Sequence, residues 1–139
     1  TFTLQKDSDK PIVLLATGTG YAPIRSILLD LIHQNSERQV HFYWGARQQE
    51  DLYALEEAEV VIGRLKNAKF LPVLSKPDSD WKGENGYVQN VAAQNYPDLS
   101  QYEVYACGSP AMTENAQSLL TQNCALPEDA FFCDAFSPA

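Results

Sequence analysis

The stretch Ile12-Val13-Leu14-Leu15-Ala16-Thr17 followed at once by Gly18-Thr19-Gly20-Tyr21-Ala22-Pro23 constrains the fold of this chain more than any other. An unbroken apolar run that stops at glycine predicts a strand buried on both faces, as in a parallel sheet, rather than a half-solvated strand with alternating polarity. Pro23 suits the first turn of a helix. Beyond it, Ile24, Ile27, Leu28, Leu31 and Ile32 recur at helical spacing and predict one apolar stripe. The segment is therefore a strand feeding a helix through a short loop. Such a loop aims backbone N–H groups and the positive end of the helix dipole at one point, where an anion such as a phosphate group can bind. The same residues also suit a tight β-α turn with no ligand, since glycine permits φ > 0 wherever a turn needs it.

The alternation continues along the chain. Strands are predicted over about Val40–Gly45, Lys69–Leu74, Glu103–Cys107 and Ala130–Asp134. Between them, a helix beginning at Asp51 carries Leu52, Leu55, Ala58, Ile62 and Leu65, and a short helix over about Val88–Asn95 ends before Pro97. Another helix, with Ser109 as N-cap and Pro110 in its first turn, runs to about Asn123. The segment from Ser75 to Gly86, rich in Pro, Asp, Gly and Lys, reads as a loop, with Trp81 and Tyr87 as packing residues. Tyr43 and Trp44 belong to the core. Strict β-α alternation implies right-handed crossovers and an α/β fold, a three-layer α/β/α sandwich around a five-stranded, parallel, Rossmann-like sheet. Phe2 and Leu4 alternate in Thr1–Asp9, which reads as a lone strand without a partner, followed by a polar linker.

Ligands of such sheets bind beyond the carboxyl ends of the strands, where the strand order reverses. Four of the strand ends carry small, reactive or charged residues: Thr17-Gly18-Thr19-Gly20, Gly45-Ala46-Arg47, Cys107-Gly108-Ser109-Pro110 and Asp134-Ala135-Phe136. The first has two glycines of a dinucleotide fingerprint and lacks the third. The second has Arg47 where an NAD site commonly places an acidic residue for the ribose hydroxyl. Arginine there can grip a 2′-phosphate, stack on adenine or meet the pyrophosphate, or simply pair with Glu50 or Asp51 at the surface. Cys107 begins the third, either as a thiol influenced by a helix N-terminus or as a small buried residue against which a flat ring packs. Cys124 and Cys133 read as structural. Asp134 and Phe136 point to one face of an extended segment, as an acid and a stacking aromatic or as a terminal tail.

Composition removes several function classes. A net charge of −8 with no basic run disfavours nucleic acid. No apolar stretch reaches membrane-spanning length. Cys107, Cys124 and Cys133 form no Cys-x-x-Cys pair, and His33 and His41 are isolated, so no metal site is predicted. Three cysteines without a framework favour a reducing, cytoplasmic setting.

Taken as a set, Leu14 through Ile24, Tyr43-Trp44-Gly45-Ala46-Arg47 with Asp51-Leu52-Tyr53, Tyr105 through Met112, and the final Asp134-Ala135-Phe136 resemble the nicotinamide-binding half of the ferredoxin–NADP reductase family. Within it they are most similar to flavin reductases and to the reductase components of oxygenase and deoxysugar systems. The resemblance implies that NAD(P)H is the cofactor and that hydride passes to FAD or FMN. It implies that Thr17, Gly18, Thr19 and Gly20 line the pyrophosphate and nicotinamide side, and that Ala46 and Arg47 meet the adenosine end. Cys107, Gly108, Ser109 and Met112 would frame the nicotinamide, with Cys107 beside its reacting carbon. Asp134 and Phe136 match the family's terminal acid-x-aromatic pattern, in which the aromatic shields the flavin ring.

Residues 1–9 then read as the last strand of a flavin-binding barrel plus a linker, and residues 10–139 as the NAD(P)-binding domain. The partners implied are a flavin-binding domain of the same polypeptide and an iron–sulfur domain or oxygenase as electron acceptor. Two alternatives stand beside this: a reductase of free flavin, and a non-catalytic nucleotide-binding module.

Overall fold

A computed structural model describes residues 2–135; Phe136, named above, lies outside them. The apolar run becomes β1 (Ile12–Thr17), whose residues are buried up to Ala16. A 3-10 turn over Gly18–Gly20 leads without a break into α1 (Tyr21–His33). Then follow β2 (Val40–Ala46), α2 (Leu55–Gly63), β3 (Ala68–Leu74), β4 (Glu84–Asn85), α3 (Val88–Asn95), β5 (Glu103–Gly108), α4 (Pro110–Asn123) and β6 (Phe131–Ala135). The strands form one parallel sheet in the order β4-β3-β2-β1-β5-β6. The chain winds outward from β1 to β4, returns past β1 and winds the other way, so the strand order reverses between β1 and β5.

The two faces of the sheet carry separate cores, which follows from the two-residue period of a strand. On one face Leu14, Ala16, Phe42, Trp44, Tyr105 and Cys107 pack under α1 and α2. On the other Val13, Leu15, Tyr43, Val104 and Ala106 pack under α3 and α4. This is the expected three-layer α/β/α architecture, and Tyr43 and Trp44 are fully buried as anticipated.

Five sequence-based expectations need correction. The sheet has six strands, not five. The extra one, β4, is two residues long and lies in the segment read as a loop; it pairs Glu84 and Asn85 with Val73 and Leu74. A strand so short has no hydrophobic period to detect. Trp81 holds it in place, donating its indole N–H to the Glu84 carbonyl at 2.9 Å. Next, Asp51 does not begin α2. It closes a separate 3-10 turn in which the Gln48 and Asp51 side chains and backbones cap each other, and α2 starts at Leu55.

The N-terminal segment is not a strand among the described residues, and it does have partners here. Leu4 is buried in the core under α1, and Phe2 meets Tyr105 edge-on with ring centroids 6.0 Å apart. Finally, Tyr87 is exposed rather than packed, and Cys133, read as structural, is exposed as well.

The histidines behave as expected of structural residues. His33 sits exposed in the last turn of α1. His41 is half-buried in β2, stacked on Tyr96 and hydrogen-bonded to its hydroxyl, and burial together with Lys69 holds its pKa below the ordinary histidine value. No helix among the described residues is long and apolar enough to cross a membrane.

Candidate functional site

Parallel strands deliver all their carboxyl ends to one edge, and here that edge opens into a cavity of about 1150 Å³. Thr17, Gly18 and Thr19 enter it from β1, Ala46 and Arg47 from β2, and Gly108, Ser109 and Met112 from the β5–α4 junction. Eight of the residues singled out as cofactor-binding candidates are thus brought to one surface. Gly20 and Cys107 lie beside the cavity and do not line it.

The geometry gives the glycines distinct reasons. Gly18 adopts φ +54°, the left-handed region that an L side chain enters at a cost. Gly20 serves a close approach instead. A Cβ there would stand 2.0 Å from the Cys107 carbonyl oxygen, so the start of α1 can lie against β5 only without a side chain. Gly108 does the same from the other side, where a Cβ would stand 2.0 Å from Thr17 Oγ1. These contacts draw the ends of β1 and β5 together at the point where the strand order reverses.

Two helix N-termini face the same space. That of α4 is capped by Ser109, whose hydroxyl accepts the Met112 N–H at 3.2 Å. That of α3 brings Tyr87, Val88, Gln89 and Asn90 to the wall. Ser75, after β3, and Asn115, on α4, also line it. Sequence reasoning missed all six as site residues: the glycine-rich Gly83–Gly86 run before α3 reads as a connecting loop and Tyr87 as a packing residue, and Asn115 lies in mid-helix. A further signal is topological: α3 is another helix entered from the same sheet edge.

The wall holds two buried polar atoms without a partner, Thr17 Oγ1 and Gln89 Oε1. Gln89 is 6% exposed, and its amide nitrogen already donates to Asn115 Oδ1 at 2.9 Å. A buried acceptor left unpaired costs about 1–3 kcal/mol unless something supplies a donor. A polyhydroxylated ligand lying in the cavity supplies such donors, while the helix N-termini suit its anionic part. The donor set therefore fits a nucleotide.

Cys107 and Asp134 stand apart from that wall. The Cys107 thiol is fully buried on the α1 side of the sheet, and burial first, then the charge of Asp134 and the neighbouring Cys133, push its pKa up to about 12. It is a neutral thiol, the reverse of the lowered pKa that a helix N-terminus can produce. Asp134 lies opposite Cys107 in register on β6 and is exposed. An aromatic at position 136 lies beyond the described residues. The burial pattern predicts thiol chemistry. Titrating the native protein with a thiol-reactive disulfide reagent should label only Cys133, accessible but slowed by a pKa that burial and Asp134 raise, with Cys107 and Cys124 released only on unfolding. Rapid release of a second thiol under native conditions contradicts the packing described.

Similarity to known proteins agrees with this geometry. Over 139 residues the chain is 42% identical to the CDP-6-deoxy-L-threo-D-glycero-4-hexulose-3-dehydrase reductase of Yersinia pestis, covering 100% of this chain and 41% of that protein. It is 34% identical over 134 residues to the NAD(P)H-flavin reductase of Vibrio harveyi, covering 96% of this chain and 56% of the other. Its fold matches the crystal structure of an Amycolatopsis cytochrome P450 reductase with a TM-score of 0.89 at 26% identity, over 99% of this chain and 42% of that one. The chain thus spans about half the length, or less, of the proteins it matches. The resemblance read from the four strand ends holds. Because residues 14–118, running from the first buried strand into the last helix, match the family described as the oxidoreductase NAD-binding domain, the chain belongs to that family.

Proposed function

We propose that this chain is the NAD(P)H-binding domain of a flavin-dependent oxidoreductase. The observation that carries the reading is the cavity at the strand-order reversal, with two helix N-termini and two unpartnered buried oxygens in its wall. Bound NAD(P)H supplies a hydride and a flavin, FAD or FMN, accepts it. The chain's own work is to bind and orient. The Thr17–Gly20 turn receives the pyrophosphate, Ala46 and Arg47 face the adenosine end, and Gly108, Ser109 and Met112 frame the nicotinamide. Cys107 is not a base: its thiol is fully buried, lies off the cavity wall and has a raised pKa. Asp134 and Phe136 close the site on the flavin side. Residues 10–139 form this domain, while residues 1–9 lead from a flavin-binding domain of the same polypeptide, and an iron–sulfur protein or an oxygenase accepts the electrons.

A second reading, reduction of free flavin, draws on the similarity to the Vibrio harveyi flavin reductase. Isothermal titration of the 139-residue chain with NADH and with NADPH tests the binding site. At least one should bind with a dissociation constant between about 1 μM and 1 mM, the range in which such enzymes hold substrates. No heat from either rejects the site. Stoichiometric bound flavin with steady NADH oxidation by this chain alone would show that no further domain is needed. A non-catalytic module is distinguished in the longer protein, where Phe136→Ala should alter nicotinamide affinity and hydride transfer together.

A further inference from the structure

We propose that Trp44 is the positioning residue of the phosphate-binding turn: its indole N–H fixes the Gly18–Thr19 peptide plane so that the Thr19 N–H faces the cavity. The proposal rests on the reading of that cavity as a dinucleotide site. Trp44 is fully buried in the core under α1 and α2, on the face of the sheet opposite α3 and α4. From there its Nε1 donates to the Gly18 carbonyl oxygen at 3.1 Å. No peptide bond in the described chain is cis, and in a trans peptide the C=O and the following N–H point in opposite directions. A carbonyl held toward Trp44 therefore turns the Thr19 N–H away from that core, toward the side where Val88, Gln89 and Met112 line the cavity.

Trp44 grips the far end of the turn too. Its ring stacks on Tyr21, the first residue of α1, with centroids 4.5 Å apart and planes 17° from parallel. Tyr21 is anchored in turn, donating its hydroxyl to Glu57 at 2.5 Å, and Arg25 joins the same carboxylate at 2.9 Å. The turn between Gly18 and Gly20 is thus bracketed by one side chain, through a hydrogen bond at its start and a stacking contact at its end. Such a bracket is needed because φ +54° at Gly18 is a conformation that glycine leaves as easily as it enters.

The test uses ADP and adenosine as probes, which share base and sugar and differ in the phosphates. Trp44→Phe keeps an aromatic ring for stacking while removing the N–H together with part of the indole volume. Titration calorimetry should show ADP binding weakened about three- to tenfold, the size of one lost hydrogen bond, with adenosine within about twofold of wild type. Equal weakening of both probes, or of neither, overturns the proposal. Where the variant does not fold, nitrogen-15 NMR of the wild-type protein decides, with the Trp44 indole assigned by comparison with Trp81→Phe. The Trp44 indole and Thr19 amide resonances should shift with ADP and stay with adenosine; shifts with adenosine, or none with ADP, overturn it. Wild-type protein that binds neither probe removes the nucleotide reading and the proposal together. Unselective weakening in Trp44→Phe, with normal wild-type binding, removes the proposal alone.

Discussion

Gly20→Ala is expected to lower the stability of the domain by about 3 kcal/mol and to abolish dinucleotide binding in whatever fraction remains folded. The added Cβ would stand 2.0 Å from the Cys107 carbonyl oxygen and 2.6 Å from its carbonyl carbon. Both are backbone atoms of β5, whose side chains are buried and whose ladder to β1 is hydrogen-bonded, so neither can rotate aside as the end of a flexible side chain would. Relief must come from moving the start of α1 away from β5. That shift opens the junction where the strand order reverses and carries the Gly18–Thr19 turn out of register with Gly108 and Ser109. Gly18→Ala is the control. Its φ of +54° is costly for alanine, yet a Cβ there meets nothing within 4 Å. Its penalty should be about 1–2 kcal/mol, from backbone conformation alone, with the turn still in place. Urea unfolding of the two variants beside nucleotide titration checks this. A Gly20→Ala protein with a wild-type midpoint would mean that α1 does not lie against β5 as described.

The contrast between those glycines marks where sequence reasoning stops. That Thr17-Gly18-Thr19-Gly20 is a strand-to-helix turn follows from the buried run before it and the apolar stripe after it, and the observed β1 has the expected bounds. That Gly18 serves conformation and Gly20 serves clearance could not be read, because clearance depends on Cys107, which is distant in sequence and adjacent only once β5 has crossed over beside β1. The helices α3 and α4 are legible from Pro97 and from the Ser109 cap with Pro110. Gln89 was not, since an amide in the first turn of a short helix looks like any solvent-facing residue. Only the packing of α3 on α4 buries it against Asn115 and leaves its oxygen without a partner. The two-residue β4 escaped for a related reason: it is defined by pairing with β3, not by its own composition. Local signals thus locate the elements and the loops that join them, while burial of an individual polar group is set by contacts between elements.

The same distinction governs the other large effect expected, at the opposite edge of the sheet. Arg38, in the α1–β2 connection, and Glu103, at the start of β5, form an ion pair at 2.8 Å with side chains 8% and 9% exposed. The guanidinium also donates to the Lys10 carbonyl at 2.8 Å and the Gln5 carbonyl at 3.0 Å. Tyr105 completes the network, accepting the Gln5 N–H at 2.9 Å and donating to Glu103 at 3.2 Å. Arg38→Met should cost about 3–4 kcal/mol, because it strands a buried carboxylate and frees the segment holding Phe2 and Leu4. The magnitude comes from the uncompensated charge rather than from the attraction itself, since desolvating both ions offsets much of their Coulomb gain. Arg38→Met combined with Glu103→Leu should therefore regain a large part of the loss, whereas strictly additive costs would show that the two side chains are not energetically coupled as the ion pair implies. Nucleotide affinity of the folded Arg38→Met protein should match wild type, because the network lies at the amino ends of the strands and the cavity at their carboxyl ends. A fall in affinity without further loss of stability would mean that the two edges of the sheet are coupled.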